Sequence, residues 1–149
     1  MAALTLLNDY LRLPDGWAHL GGVPAQFPPE LADLVSRFPG SAVPPDGETF
    51  IASSGQALVG IVMLAKYDAY TAHMKRLYVS PLVRRQGIGQ RLTIACIEWA
   101  ATFGCSRVAL DVLPARVGAI ALYESLGFWD TSPWTSYPMP MRFLSRSTG

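Results

Sequence analysis

Charged residues are scarce in this chain of 149 residues. Lysine and arginine together number 12 and aspartate and glutamate 11, so the formal net charge is +1. A chain with this balance has no general electrostatic attraction to nucleic acid or to an anionic membrane surface. Half of the residues are hydrophobic, which predicts one globular domain over residues 1–149 with a substantial core.

Cysteine and long apolar runs are also lacking. Cys96 and Cys105 are the only cysteines. They are too few for a zinc site, and we expect them to be buried free thiols in a reducing compartment. No segment approaches the ~20 apolar residues that cross a bilayer, and the N-terminus has no basic segment followed by a long apolar one. We therefore expect a cytoplasmic protein with no metal, no nucleic-acid partner and no membrane partner.

The first half of the chain has the pattern of short elements between turns. Residues 29–38 predict a short helix, because proline opens the segment and arginine lies near its end. Residues 49–53 and 57–64, joined by a Ser-Gly-Gln turn, predict a β-hairpin. A polar break then separates the hairpin from a third antiparallel strand around Leu77.

The second half changes to a helical period. Apolar residues from Leu92 to Phe103 recur at the spacing of a helix with one buried face, and Gly104 is suited to end it. Residues 107–112 predict the next strand, so strand, helix and strand form a right-handed βαβ unit. The two strands are expected to be adjacent and parallel or splayed apart at their ends. A second helix over 117–126 and two interrupted edge strands over 128–144 follow, and residues from 145 onward are expected to fray.

A glycine pair stands where the third strand meets the long helix. Gly87 and Gly89 lack a Cβ, so backbone N–H groups there can approach an anion closely. The first turn of a helix adds unpaired N–H donors and the positive end of the helix dipole, and arginine adds side-chain charge. The segment therefore predicts a phosphate-binding loop formed by Arg84, Arg85, Gln86, Gly87, Ile88, Gly89 and Gln90.

Two motifs, in this order, resemble the GNAT superfamily of acyl-CoA-dependent N-acetyltransferases. They are Leu77-Tyr78-Val79-Ser80-Pro81 followed by Arg84-x-x-Gly87-x-Gly89, and Ala121-Leu122-Tyr123-Glu124-Ser125-Leu126-Gly127-Phe128. The resemblance covers about residues 73–128, the expected cofactor-binding core. It implies an α/β (α+β) fold with a mixed, mostly antiparallel sheet of about six to seven strands, splayed at its centre and flanked by about four helices.

The resemblance also implies roles for single residues. The main chain of Leu77, Tyr78 and Val79 would bind the pantetheine amides of acetyl-CoA, and the amides from Arg85 to Gln90 would bind its pyrophosphate. Tyr123 matches the tyrosine that, in many members, protonates the departing thiolate. An acid at that position suits the chemistry, because attack of an amine on a thioester releases a thiolate.

Two positions depart from the family pattern. His73 stands on the strand where many members carry a glutamate base, and an unperturbed histidine is well matched to that task near neutral pH. In a regular strand, His73 would share a face with Lys75 and Leu77. Arg116, seven residues before Tyr123, replaces an asparagine, and it is expected either to meet the cofactor or to be solvated.

Other functions remain open on the sequence. Asp111 lies 24 residues beyond Gly87, where a dinucleotide-binding domain would carry its ribose-binding acid, but Leu92 replaces the third glycine. No P-loop string occurs. A non-catalytic acyl-CoA-binding or regulatory module would keep the loop without turnover.

The resemblance points to direct attack of a primary amine in a ternary complex, on a small molecule or a peptide, and the sequence does not choose between them. The candidate walls of the acceptor site are aromatic and acidic, a combination that holds amines. They are residues 16–26, Tyr67, Asp68, Tyr70, Trp129, Trp134 and Tyr137. A closed pocket for a small amine would be lined by Trp129 and Trp134, and the proline-broken tail is also a candidate homodimer surface.

Overall fold

The computed structural model describes residues 46–54 and 57–149. The predicted helix over 29–38 and the predicted acceptor loop over 16–26 lie outside these residues. Within them the chain forms a mixed α/β fold with a six-stranded sheet in the order β1-β2-β3-β4-β6-β5. The elements are β1 (Gly47–Ser54), β2 (Ala57–Lys66), β3 (Thr71–Val79), a 3₁₀ turn (Pro81–Val83), α1 (Ile88–Thr102), β4 (Arg107–Val112), α2 (Val117–Ser125), β5 (Trp129–Asp130) and β6 (Arg142–Ser147).

The first three strands confirm the predicted hairpin and the antiparallel third strand. β1 pairs with β2, and β2 pairs with β3, both antiparallel. Asp68 closes the turn into β3, because its carboxylate accepts hydrogen bonds of 2.8 Å from the backbone N–H groups of Tyr70 and Thr71. These bonds explain why the polar break predicted between the strands is a tight turn.

The predicted βαβ unit is present, and its two strands are both paired and splayed. β3 and β4 run parallel through only three pairs, of which the last joins His73 to Ala109. Beyond that pair the strands diverge, while each keeps its other neighbour. β3 stays paired with β2 as far as Val79, and β4 stays paired with β6 as far as Val112. The sheet therefore contains a fork that is closed at His73 and Ala109 and open towards Val79.

Helix α1 covers one face of the sheet. Its buried side chains, Ile88, Leu92, Cys96, Trp99 and Ala100 among them, recur every three or four residues, as the sequence predicted. They pack in one core cluster with residues of β2, β3 and β4 and with Ile120 and Tyr123 of α2. Glycines with positive φ angles of 88° follow both helices, Gly104 after α1 and Gly127 after α2, and the first confirms the predicted end of α1.

The end of the chain differs from its prediction. β6 is not an edge strand, because it lies between β4 and β5, and only the two-residue β5 lies at the edge. The expectation that residues from 145 onward fray is wrong. Ser147 pairs with Arg107, and Thr148 donates a backbone hydrogen bond of 2.9 Å to the carbonyl of Ser106. Backbone pairing with an inner strand thus outweighs the tendency of termini to fray.

Other expectations stand as follows. Six strands agree with the predicted number, whereas the described residues contain two α-helices and the short 3₁₀ turn, so four flanking helices are not confirmed. Cys96 and Cys105 are buried free thiols, as predicted. Among the described residues, no helix has the length and apolar character that would let it cross a membrane.

Candidate functional site

Beyond His73 and Ala109, the inner sides of β3 and β4 no longer pair with each other. Beyond His73, β3 continues through Leu77, Tyr78 and Val79, and none of these residues pairs with β4. Backbone N–H and C=O groups alternate along such an edge and require partners. An extended chain that enters the fork can therefore bind there as an added strand would.

A β-bulge in β3 changes which side chains face the core. Ile61 pairs with Tyr78 and Met63 with Lys75, so β3 contains one residue more than β2 over this stretch. Arg76 has a φ angle of 58°, and Met74 and Leu77 both pack against the core cluster. The strand is therefore not regular, and His73 and Leu77 lie on opposite faces because the extra residue reverses the alternation.

The predicted phosphate-binding loop lies at the open end of the fork. The guanidinium Nε of Arg84 donates a hydrogen bond of 3.1 Å to the carbonyl of Val79, which ties the loop to the end of β3. α1 begins at Ile88, with no acidic residue in its first turn and no side chain capping it. Arg84, Arg85, Gln86, Gly87 and Gln90 are exposed, whereas Ile88 is buried and Gly89 half-buried. The first helical turn is thus available to an anion.

Glycine is required at the two positions of this loop for different structural reasons. Gly87 has a φ angle of 78°, which strains any residue with a side chain, although a Cβ there would meet open space. Gly89 lies inside the helix, where a Cβ would approach Cδ2 of Leu122 to 3.2 Å. Gly87 therefore sets the backbone of the loop, and Gly89 lets α2 pack closely on α1. Arg85 also has a left-handed conformation, with φ at 68°.

Tyr123 is placed by α2 on the same side of the sheet as α1. It is 6% exposed, belongs to the core cluster that Leu77 and Val79 also contact, and packs its ring against Phe128 at 5.7 Å. Arg116 immediately precedes the first turn of α2 and is half-buried, so it is not a freely solvated side chain.

His73 lies in a different environment from the loop. It is 6% exposed, and its ring stacks between Tyr67 and Trp134, each with ring centroids 4.3 Å away. Burial, together with the positive charges of Lys75 and Arg107, lowers the pKa of His73 to about 4, against an opposing effect of Asp111 and Asp68. The imidazole is therefore uncharged at neutral pH.

The arrangement also assigns a partner to Asp111, which the sequence offered only as a ribose-binding acid. Its carboxylate accepts a hydrogen bond of 2.6 Å from the hydroxyl of Tyr137, a residue predicted only as an acceptor wall. Asp111 is the acidic member of a strand in which Val108, Leu110 and Val112 are buried. That single acid in an apolar strand was the signal in the sequence.

The two tryptophans of the tail, Trp129 and Trp134, lie in different places. Trp129 is 76% exposed and lines an open hollow of about 760 Å³ with residues from the start of β4 and the end of β6. Trp134 instead packs on His73 and Phe143. The closed pocket predicted from these two tryptophans is not formed among the described residues. No group of His, Cys, Asp and Glu side chains in that part of the chain could hold a metal ion.

Comparison with known proteins gives a family. Residues 11–128 match the model of the Acetyltransferase (GNAT) family. An uncharacterized N-acetyltransferase of Schizosaccharomyces pombe is 33% identical over 139 residues, which cover 90% of this chain and 83% of the yeast protein. An aminoglycoside N(6')-acetyltransferase type 1 of Klebsiella aerogenes is 30% identical over 67% of this chain, which spans 64% of that relative.

Solved structures agree on the fold. A Salmonella typhimurium structure, described as an acetyltransferase with its cofactor acetyl-CoA, superposes with a TM-score of 0.71. The match covers 98% of this chain and 86% of that one at 14% sequence identity, so it supports the fold alone. The sheet of this chain has one parallel strand pair among the described residues, which is not the successive parallel pairing of a dinucleotide-binding domain.

Proposed function

This chain belongs to the GNAT acetyltransferase family, and on that basis we propose that it transfers the acetyl group of acetyl-CoA to a primary amine by direct attack in a ternary complex. The acceptor is a small molecule or a peptide. The observation that carries the proposal is the fork between β3 and β4, whose open end is hydrogen-bonded to a glycine loop and an uncapped helix start. An extended arm that ends in a pyrophosphate fits this combination.

The residues available for the donor are those of the loop and of the inner edge of β3. We assign the main chain of Leu77, Tyr78 and Val79 to the pantetheine amides, since these residues lie beyond the last β3–β4 pair. We assign the amides of the loop and the first helical turn, from Arg85 to Gln90, to the pyrophosphate, with Arg84 supplying charge at the end of β3. Bound acetyl-CoA would supply the acetyl group to be transferred, carried as a thioester.

Tyr123 is the proposed acid. Its hydroxyl would donate a proton to the departing thiolate, and its burial in the core cluster holds the ring in one place.

His73 is retained as a candidate base, with a consequence that can be tested. Because its pKa is lowered to about 4, a rate that depends on its neutral form would fall only below about pH 4.

An amine acceptor is supported by the family and by one relative, the aminoglycoside acetyltransferase of Klebsiella aerogenes. Two further proposals concern the whole protein. The exposed Trp129 on the edge strand β5 is the best candidate for a homodimer surface, and sedimentation of the wild type beside Trp129→Ser tests it. A cytoplasmic location is proposed from the two free, buried thiols.

Calorimetric titration with acetyl-CoA tests the function, with NADH titrated on the same preparation. We expect saturable acetyl-CoA binding, no response to NADH, and release of free thiol when a panel of primary amines is added. Binding without thiol release from any amine would favour the non-catalytic module. Binding of NADH in place of acetyl-CoA would contradict the proposal.

A further inference from the structure

A row of aromatic rings crosses the sheet face opposite α1. The ring of Tyr67 stacks on His73, His73 on Trp134, and Trp134 meets Phe143 edge to face at 4.8 Å. Tyr137 continues the row, with its ring centroid 6.2 Å from that of Phe143. Tyr67 is 56% exposed and Tyr137 38% exposed, so parts of the row are open to a ligand.

Asp111 stands at the end of this row. Phe143 is its cross-strand partner on β6, so the two side chains share a face, and the Tyr137 hydroxyl donates to its carboxylate. The carboxylate is half-buried, and no salt bridge reaches it from the part of the chain that the structure describes. Lys75 interacts with Asp111 electrostatically but forms no salt bridge with it among the described residues, so a half-buried acid whose hydrogen-bond donor is neutral favours binding of a further cation.

The position of Asp111 along the fork matches the end of the donor. The loop for the phosphates lies at the open end near Val79, and the closed end is the pair His73 and Ala109. Lys75 lies four positions before Val79 on β3, which is a distance of about 13 Å at the usual strand rise of ~3.3 Å. Asp111 lies two residues beyond Ala109 on β4, so it sits near the closed end of the fork, where the arm of the donor would end.

We propose that Asp111 receives the ammonium group of the acceptor and that the aromatic row holds its carbon skeleton. The acceptor class is then a primary amine joined to an aromatic or apolar body, since exposed tyrosine faces attract both the ammonium and the rings. Tyr137 is a positioning residue that holds the carboxylate. The inference rests on the proposed function and names its substrate class.

The proton and bond changes balance with this assignment. The ammonium held by Asp111 loses one proton to solvent, with the neutral His73 as the candidate base, and the nitrogen lone pair attacks the thioester carbonyl carbon. The carbon–sulfur bond then breaks as the nitrogen releases its second proton to solvent, and the sulfur takes a proton from Tyr123, which solvent restores. The charged groups near Asp111 are Lys75, which shares its face of the sheet, and more distantly Arg107 and Asp68, with the neutral His73 between them. Lys75 makes no salt bridge with Asp111 among the described residues, so the carboxylate is not already neutralised.

Binding of a simple probe tests the inference without requiring turnover. Phenethylammonium and its neutral analogue 2-phenylethanol are titrated against the full chain saturated with CoA, for the wild type, Asp111→Asn, Tyr137→Phe and the control Glu98→Gln. Glu98 is an exposed acid on α1, and its backbone carbonyl accepts a hydrogen bond from the hydroxyl of Thr102. Urea unfolding of each variant verifies that the fold is retained.

We expect the wild type and Glu98→Gln to bind the ammonium about tenfold more tightly than the alcohol. Asp111→Asn removes that preference, and Tyr137→Phe reduces it to about threefold and raises KM for phenethylamine more than it lowers kcat. A wild type without the preference, or Asp111→Asn that keeps it, overturns the inference. Titration with acetyl-CoA distinguishes failure of the proposed function from failure of this inference. Every variant should bind acetyl-CoA equally, whether or not Asp111 binds the ammonium.

Discussion

The proposed donor side and the proposed acceptor side of the site are built from different groups. On the donor side, the proposed binding groups are backbone amides at the edge of β3 and at the start of α1, and most loop side chains are exposed. On the acceptor side, they are side chains packed ring on ring, with His73 and Phe143 buried. Binding by backbone requires special φ angles and therefore glycine, whereas binding by side chains requires only suitable residue types at scattered positions.

The largest effect on turnover is expected from a change at Tyr123, where the proposed donor and acceptor sides meet. Tyr123→Phe removes the proposed proton donor and keeps the ring that packs on Phe128. Turnover should fall by roughly 10²–10⁴-fold, the usual contribution of a positioned acid. The Kd for acetyl-CoA, measured by calorimetry, should remain within about twofold. A variant with full turnover would remove Tyr123 from the reaction.

The next prediction concerns the stability of the acceptor side. His73 has a folded-state pKa of about 4, below its unfolded value of 6.5. The unfolded chain therefore binds more protons between these values, and stability is lost as the pH falls from about 6.5 to 4. The loss is about 3 kcal/mol, on the order of 1.4 kcal/mol per pKa unit.

His73→Phe, which keeps a ring between Tyr67 and Trp134, should remove this loss. The measurement is the difference between the unfolding free energies of wild type and variant, by urea denaturation at pH 7.5 and 4.5. The two proteins differ only at residue 73, so the difference in their pH dependence reports the histidine. Equal pH dependence in the two proteins would mean that His73 is solvated.

A third prediction breaks the donor side alone. Gly87→Val places a β-branched residue at a φ angle of 78° and strains the loop by about 1–3 kcal/mol. The Kd for acetyl-CoA should rise by about tenfold or more, while probe binding at the acceptor side is retained. The matched control is Gly118→Ala in α2, where φ is not positive and a Cβ meets open space. That control should bind normally and gain up to ~1 kcal/mol of stability.

The smallest effect is expected from Arg84→Gln. This arginine donates to the carbonyl of Val79 and is exposed, so screening limits its contribution to phosphate binding. The Kd for acetyl-CoA should rise by about threefold at low salt and by less at high salt. Arg146→Gln, at the far end of β6, provides the control. A salt-independent effect would indicate that Arg84 acts on the backbone of β3 and not on the phosphates.

Sequence reasoning predicted the strand, the glycine turn and the helix that form the proposed donor side, because Gly87 and the amphipathic period of α1 reflect local backbone requirements. It was weaker where the result depends on pairing between distant residues. The bulge at Arg76 placed His73 and Leu77 on opposite faces of β3. The inner position of β6 was missed because proline-broken segments usually mark sheet edges. The hydrogen bond between Asp111 and Tyr137 joins residues 26 positions apart, and no local pattern predicts it.

Amide hydrogen exchange with and without acetyl-CoA tests the central claim, that the donor lies in the fork between β3 and β4, most directly. The account predicts slower exchange at Leu77–Val79 and at the first-turn amides of α1 when acetyl-CoA is bound. Exchange in β1, which lies at the other edge of the sheet, should not change. Saturating binding that leaves both the β3 edge and the loop unprotected would place the donor elsewhere and contradict the account.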